Sequence, residues 1–246
     1  MRKFVVGNWK MHGDRSSLVE LDQMAAAAAA NPSVDVAVAV PFTLIDRAAS
    51  RVSALPIGAQ DVHERDKGAH TGCISAAMLV EVGARFAIVG HSERRGDQGE
   101  TSQDAWAKAA AAHRHGLDVV LCCGETQAER DAGRAERVVQ AQIEKSLPED
   151  GDGSWLTLAY EPRWAIGTGR TPTPDEIAGI HAIARAKMRM LIGERADAIR
   201  ILYGGSVTGE NAHSILSIPD VDGALVGGAS LNAARFVPII EAAARV

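Results

Sequence analysis

Three ionisable side chains each follow a short apolar run of the sequence. They are Lys10, His91 and Glu161. Side chains of these types act as bases, acids and charge-stabilising groups in enzymes. Taken singly, each has an ordinary explanation, because a lysine is usually solvated, a histidine is often packed and a glutamate before a proline can simply end a strand. Taken together at equivalent positions, they predict one catalytic site.

Glycine pairs follow two further apolar runs. Gly204 and Gly205 precede Ser206, and Gly227 and Gly228 form the second pair. Glycine pairs often serve tight turns, so alone they say little about function. Their position, like that of the ionisable residues, has to be judged from the elements that hold them.

Short β-branched runs alternate along the chain with longer, alanine-rich segments of helical period. The runs are continuously apolar rather than alternating, which predicts strands covered on both faces, as in a parallel sheet. The eight runs are Phe4–Val6, Val34–Val40, Ile57–Ala59, Phe86–Val89, Val119–Cys122, Leu156–Ala159, Ile199–Leu202 and Ala224–Val226. The helical segments include Ser16–Ala30, Ser75–Val82, Thr101–His115, Ala135–Leu147, Pro174–Ile192 and Leu231–Ala244.

Eight strand-then-helix units predict the α/β class and a (β/α)8 barrel in which residues 1–246 form a single domain. An open, doubly wound sheet is the alternative. No Gly-x-Gly-x-x-Gly follows the first run, which weakens a dinucleotide-binding version of that sheet. In a barrel the carboxyl ends of all strands lie on one face, where active sites form. The ionisable residues and the glycine pairs should therefore meet at one rim.

Two helix starts carry recognisable signals. Thr173 is followed by Pro174 and two acidic residues, which predicts a capped first turn. Ser16 or Ser17 is the expected cap of the first helix.

Composition restricts the class of protein. The net charge is −5, so we expect no nucleic-acid partner, because sequence-independent binding needs a basic face. No uncharged apolar run could span a membrane, and the start of the sequence lacks the pattern of a signal peptide. The three cysteines are Cys73, Cys122 and Cys123, and we expect them to be reduced in a cytoplasmic protein. We expect no metal and no cofactor.

Several motifs at consistent spacing carry a family resemblance. They are Gly7-Asn8-Trp9-Lys10-Met11, Gly90-His91-Ser92-Glu93-Arg94-Arg95, Tyr160-Glu161-Pro162 with 164–169, Tyr203-Gly204-Gly205-Ser206-Val207, and Gly227-Gly228. In this order and over essentially the whole chain, the sequence resembles the triosephosphate isomerase family. The resemblance implies a TIM barrel and the interconversion of dihydroxyacetone phosphate and glyceraldehyde 3-phosphate through an enediolate.

The resemblance also implies roles for the three ionisable residues. Glu161 is the expected base that removes a proton beside the carbonyl, and His91 is the expected electrophile, which in this family is known to act as a neutral imidazole. Lys10 is expected to supply positive charge to the developing enediolate and to the phosphate. Asn8 is expected to bind substrate or orient Lys10, and Glu93 to support the site, although a structural ion pair explains Glu93 equally well.

The phosphate group and a mobile cover are implied in the same way. Gly167, Ser206, Gly227 and Gly228 match the family's phosphate contacts, which are largely backbone N–H groups. Residues 162–170 resemble the family's lid, whose closure is a known gating step.

Three positions depart from the family pattern. Arg163 stands where an aliphatic residue is usual, and we expect it to face solvent unless it leans over the pocket and alters substrate preference. Cys73 stands where a glutamate usually pairs with the arginine matching Arg94, in a loop around Thr71 that resembles the family's homodimer contact. Without this glutamate and its ion pair, the predicted homodimer is expected to be weaker. Asp61 replaces a more usual asparagine nearby.

Two alternatives to this function stay open at this point. The first keeps the chemistry but changes the substrate to a four-carbon ketose phosphate, as in an L-erythrulose-1-phosphate isomerase of sugar-alcohol catabolism. The second is a non-catalytic, phosphate-binding barrel, which does not explain why Lys10, His91 and Glu161 are all present.

Overall fold

The computed structural model describes residues 1–165 and 172–246. Within these ranges the strands are β1 Lys3–Asn8, β2 Val34–Ala39, β3 Ile57–Ala59, β4 Phe86–Val89, β5 Asp118–Cys123, β6 Leu156–Tyr160, β7 Arg200–Tyr203 and β8 Gly223–Val226. The α-helices are α1 Glu20–Ala30, α2 Ile45–Arg51, α3 Ala76–Glu81, α4 Ser92–Asp97, α5 Ser102–Arg114, α6 Gln127–Asp131, α7 Ala135–Ser146, α8 Pro174–Ile192, α9 Ala212–Leu216 and α10 Ala233–Ala243. Short 3-10 turns cover Ser16–Val19, Phe42–Leu44, Gly193–Ala198 and Gly228–Leu231.

The strands form a closed parallel barrel in sequence order. Closure comes from the pairing of β1 with β8, in which Phe4 lies opposite Gly223 and Gly7 opposite Val226. The predicted (β/α)8 barrel is therefore confirmed. The alternative open sheet is wrong, because an open sheet has two unpaired edge strands, whereas here each strand pairs with two neighbours.

Each strand buries side chains on both of its faces, which explains the continuously apolar runs. One cluster fills the barrel interior and includes Val6, Ile88 and Leu225. The other packs the outer face of the barrel against the helices and includes Val5 and Ala87. Side chains alternate between the two faces along each strand. Residues that directly follow the strands therefore lie at the carboxyl-end rim of the barrel.

The predicted start of α8 is confirmed, whereas the predicted cap of the first helix is wrong. The Thr173 hydroxyl oxygen accepts the Glu176 backbone N–H, and the Glu176 carboxylate accepts the Thr173 backbone N–H. At the first helix it is Asp14 whose Oδ1 accepts the backbone N–H groups of Ser16 and Ser17, at 2.8 and 3.1 Å. The carboxylate accepts both orphan donors at once, which a serine hydroxyl does less well.

Among the described residues, none of the helices combines the length and the apolar character needed to cross a bilayer. In the same part of the chain, no group of three or more His, Cys, Asp or Glu side chains is arranged to hold a metal ion.

Candidate active site

A cavity of about 750 Å³ lies at the carboxyl-end rim of the barrel. Most of the residues that the sequence predicts for the site line it together, although they come from strand ends far apart in the chain. They are Asn8, Lys10, His91, Glu161, Ser206, Gly227 and Gly228. Glu93 lines a neighbouring cavity instead, which Lys10 and His91 also border. Gly167 lies outside the described residues.

Glu161 is held by two donors at the floor of the cavity. Its Oε1 lies 3.0 Å from His91 Nε2, and its Oε2 accepts the Ser92 backbone N–H at 2.8 Å. Only 2 % of Glu161 is exposed, so its hydrogen bonds are made where water competes little. The base and the electrophile predicted from the sequence are thus in direct contact.

His91 has a defined tautomer. Its Nδ1 accepts the Glu93 backbone N–H at 3.2 Å, at the first turn of α4. An imidazole nitrogen that accepts a hydrogen bond carries no proton, so the ring proton resides on Nε2 and points at Glu161. The same Nε2–H is available to a substrate oxygen.

The two side chains shift each other's pKa. Burial alone raises the pKa of Glu161, but the neighbouring His91 ring, the Ser92 N–H and the charge of Lys10 outweigh burial and hold the pKa below its ordinary value. Burial lowers the pKa of His91, and the Glu161 carboxylate more than offsets this and raises it. Glu161 is therefore an anion at neutral pH, ready to accept a proton.

Lys10 is fixed by an unusual backbone conformation. Its φ is +54°, in the left-handed region that non-glycine residues rarely adopt. The Asn8 side-chain oxygen accepts the Lys10 backbone N–H at 3.0 Å, and Gln60 Nε2 donates to the Lys10 carbonyl at 2.9 Å. These two bonds, one to the N–H and one to the carbonyl of Lys10, hold its strained backbone in place. The ammonium group lies at the cavity as a result.

The Lys10 ammonium group contacts Glu93 Oε1 at 2.6 Å. Glu93 is half exposed, so this ion pair contributes little to stability. The ion pair holds the ammonium group between this cavity and the neighbouring one, since Lys10 lines both. Gln60, which orients the same lysine, was not predicted for the site because an isolated glutamine after a strand carries no sequence signal.

The opposite wall of the cavity consists of glycine-rich turns after β7 and β8. Gly204 to Gly209 and Gly227 to Gly228 line it. Gly204 is required sterically, because a Cβ at this position would lie 2.8 Å from Glu161 Cγ. A Cβ at Gly227 would likewise lie 3.2 Å from Lys10 Cε. Because these residues lack a Cβ, the backbone of the turns lies close to Glu161 and Lys10. Exposed backbone N–H groups of this kind can bind an anion.

Comparisons with known proteins agree with this geometry. The family model described as "Triosephosphate isomerase" matches residues 3–243. The chain belongs to the triosephosphate isomerase family.

Relatives within that family match over nearly full length. The chain is 49% identical to the triosephosphate isomerase of Xanthobacter autotrophicus, over 98% of this chain and 96% of the relative. It is 50% identical to that of Xanthobacter flavus, over 98% of this chain and 97% of the relative. The crystal structure of triosephosphate isomerase from Bartonella henselae superposes with a TM-score of 0.92 at 40% identity and covers 98% of this chain and 99% of that chain. The chain is accordingly an isomerase, and its family binds a small phosphorylated sugar.

Arg163, a departure from the triosephosphate isomerase pattern, is only partly exposed to solvent. The side chain is half-buried, and a methyl group added at Gly96 would lie 2.5 Å from Arg163 Nη2. The guanidinium group therefore rests on α4. Arg163 is not among the described residues that line the cavity, so it does not reach the substrate pocket from this position.

Asp61, a second departure, belongs to a charge network. Arg94 pairs within its own chain with Asp61 at 2.8 Å and with Glu100 at 2.9 Å. Lys108 binds the same two carboxylates. Arg94 therefore has carboxylate partners although position 73 is a cysteine, and the aspartate at position 61 is one of them.

The segment that resembles the family's lid begins beside a buried carboxylate. Glu125 Oε1 accepts the Trp164 Nε1–H at 2.8 Å and the Tyr160 hydroxyl at 3.1 Å. The Arg163 backbone N–H donates to the Glu125 carbonyl at 3.1 Å. These bonds fix the first part of the segment, whereas residues 166–171 lie outside the described residues.

Proposed function

We propose that the chain interconverts dihydroxyacetone phosphate and glyceraldehyde 3-phosphate through an enediolate, with Glu161 as the base and His91 as the electrophile. The observation that carries the proposal is that the Glu161 carboxylate and the His91 Nε2–H meet in one cavity with a lysine on one side and glycine turns on the other. The neighbouring cavity shares Lys10 and His91 but is lined by Glu93 in place of Glu161, and the glycine turns are not part of its described lining.

The reaction follows from these groups. Glu161 removes a proton from the carbon beside the substrate carbonyl, and the electron pair moves onto the carbonyl oxygen. The His91 Nε2–H donates to that oxygen, and the Lys10 charge stabilises the enediolate. A proton also moves from the neighbouring hydroxyl oxygen to the former carbonyl oxygen, with His91 Nε2 as the group that gives one proton and takes up the other. The protonated Glu161 then returns its proton to the former carbonyl carbon, and the new carbonyl forms at the carbon that was deprotonated.

The lowered pKa of Glu161 belongs to the enzyme without substrate, and we expect a higher pKa when the carboxylate reaches the substrate carbon. The carboxylate is stabilised by His91 and by the Ser92 N–H, both of which it must leave in order to reach a substrate carbon. Outside these bonds and in a site that excludes water, its burial raises the pKa and strengthens it as a base.

Phosphate binding is assigned to the glycine-rich wall. Gly227 precedes the short 3-10 turn Gly228–Leu231, which Gly228 begins, and Ser206 follows the glycines after β7. Backbone N–H groups there can approach an anion closely, and the rim after the last two strands is where barrels commonly bind phosphate. Gly167 remains a proposed fourth contact.

We also propose a homodimer that uses the loop around Thr71, and a cytoplasmic location. Thr71, Gly72 and Cys73 are all exposed, at a surface that the barrel itself does not cover. The three cysteines are free thiols, which suits a reducing compartment.

A side-by-side assay of three-carbon and four-carbon ketose phosphates tests the proposed substrate. We expect kcat/KM to be much larger for dihydroxyacetone phosphate, because Arg163 does not enter the described cavity to favour a longer sugar. A larger kcat/KM for the four-carbon substrate would overturn this assignment. Loss of activity in Glu161→Gln shows that the measured rate comes from this site and not from a contaminant.

A further inference from the structure

Two residues that closely follow β6, Glu161 and Arg163, contact the same short helix. Glu161 Oε2 accepts the Ser92 N–H at one end of α4, and Arg163 lies on Gly96 at the other. The segment 161–163 is therefore attached to α4 at two points. Only one of them, the carboxylate, has a place in the reaction.

The contact between Arg163 and Gly96 depends on the missing side chain at position 96. A methyl group there would lie 2.5 Å from Arg163 Nη2 and 3.7 Å from Cζ, so the guanidinium group occupies the space that any other residue would fill. A guanidinium group is planar and weakly hydrated, which suits it to lie on a bare helix surface. The Arg163 backbone N–H donates to the Glu125 carbonyl at 3.1 Å, and the guanidinium group itself rests on Gly96.

Attachment to α4 opposes the proposed reaction. The Glu161 carboxylate must leave the Ser92 N–H to reach a substrate carbon, and Arg163, two residues further along the chain, holds the same segment against α4. We propose that Arg163 is a positioning residue: by resting on Gly96, it stabilises the arrangement in which Glu161 is bonded to Ser92 and so limits the fraction of enzyme that is ready to bind substrate productively. This inference rests on the proposed function of Glu161.

The proposal has a thermodynamic consequence. When only a fraction of the enzyme is competent, the apparent dissociation constant is larger than the intrinsic one by the inverse of that fraction. Removing the contact between Arg163 and Gly96 should increase the competent fraction. Substrate should then bind more tightly, while the chemical step is unchanged.

Two substitutions remove the contact from opposite sides. Arg163→Val deletes the guanidinium group, and Gly96→Ala displaces it by adding a methyl group beneath a flexible side-chain end. Alanine also favours the helix over glycine, so Gly96→Ala should not unfold α4. Gly179→Ala is the matched control, because Gly179 is likewise an exposed glycine within a helix and a Cβ there would meet nothing within 4 Å.

The experiment measures KM, kcat and the dissociation constant of 2-phosphoglycolate, a stable phosphate ester whose carboxylate resembles the enediolate. We expect Arg163→Val and Gly96→Ala each to lower KM and the dissociation constant by roughly two- to fivefold, with kcat changed by less than about twofold. The double variant should match a single variant, because both changes remove one contact. Gly179→Ala should match the wild-type chain.

Other outcomes overturn the proposal. Unchanged or raised values of KM and of the dissociation constant in either single variant would show that Arg163 does not hold the substrate-free arrangement. Additive effects in the double variant would show two separate causes. If the wild-type chain had no isomerase activity, the proposed function would fail, whereas the binding of 2-phosphoglycolate would still decide the role of Arg163.

Discussion

His91 Nε2 and Glu161 Oε1 lie 3.0 Å apart, so the proposed electrophile and base of this site satisfy each other before substrate arrives. A substrate that uses both groups must replace this bond with one bond to His91 and a contact to Glu161. The bond keeps the ring proton on Nε2 and the carboxylate ionised, which are the states that the reaction requires. Both groups therefore have the protonation state that the reaction needs, but the bond between them must break before they act on substrate.

Removal of the base gives the most direct prediction. Glu161→Gln keeps the length of the side chain but cannot accept a proton from carbon, so kcat should fall by on the order of 10² to 10⁴. Steady-state kinetics measures the loss, and the unfolding temperature confirms that the barrel survives. A kcat equal to that of the wild-type chain would exclude Glu161 as the base.

The strands of this protein were predictable because each is apolar on both faces. Ile57–Ala59 and Phe86–Val89 have the predicted bounds, and the predicted Leu156–Ala159 extends by one residue. Parallel strands closed into a barrel bring their ends together, so the residues after each run could be assigned to one site. Short helices such as α4 and α9 were not among the predicted segments, since one or two turns show too little periodicity.

Contacts that depend on the exact course of the backbone could not be predicted. Nothing in the sequence relates Arg163 to Gly96 or Gln60 to the Lys10 carbonyl, because these partners come from different strand-end loops. The cap at Asp14 was missed for a different reason: two serines follow it, and their positions in the turn cannot be read from composition. Expectations taken from the family also gave no guide to Arg163, because the family usually has an aliphatic residue there.

Lys10 supplies the positive charge of the site, and its removal should affect both binding and catalysis. In Lys10→Ala, KM should rise and kcat should fall, with a loss in kcat/KM of about 10²-fold or more. Lys145→Ala is a suitable control, since it removes an exposed lysine from helix α7. Kinetics at low and high salt should show a smaller salt dependence of KM for Lys10→Ala than for Lys145→Ala. Equal kinetics in the two variants would exclude the proposed role.

Cys73 allows the proposed dimer contact to be blocked selectively. It is exposed, whereas burial raises the pKa of Cys122 well above its usual value and that of Cys123 to about 12, so a maleimide at neutral pH should modify Cys73 alone. A bulky adduct in the loop around Thr71 should shift the chain towards monomer in sedimentation at low concentration. Cys73→Ser treated with the same reagent controls for other sites. Dimers that persist after complete modification would place the contact elsewhere.

The stability of the protein should fall in mild acid because of a buried histidine. His181 is fully buried, its Nδ1 lies 2.9 Å from the Asp220 carbonyl oxygen, and its Nε2 has no hydrogen-bond partner among the described residues. Burial lowers the pKa of His181 to about 4, against 6.5 for an ordinary histidine. Below pH 6.5 the unfolded chain therefore binds a proton that the folded chain does not, and stability is lost as the pH falls towards 4.

The free energy of unfolding should accordingly drop by about 2 kcal/mol from His181 between about pH 7.5 and about pH 5. His91 acts in the opposite direction, because its pKa is raised, and the carboxylates with lowered pKa values, such as Glu161, lose their contribution only at lower pH. His181→Phe isolates the effect, since phenylalanine retains the ring beside Tyr160 and Tyr203 but cannot be protonated. Denaturant unfolding across this range should give a flatter pH dependence for His181→Phe than for the wild-type chain. Two parallel curves would show that His181 is not the group that titrates.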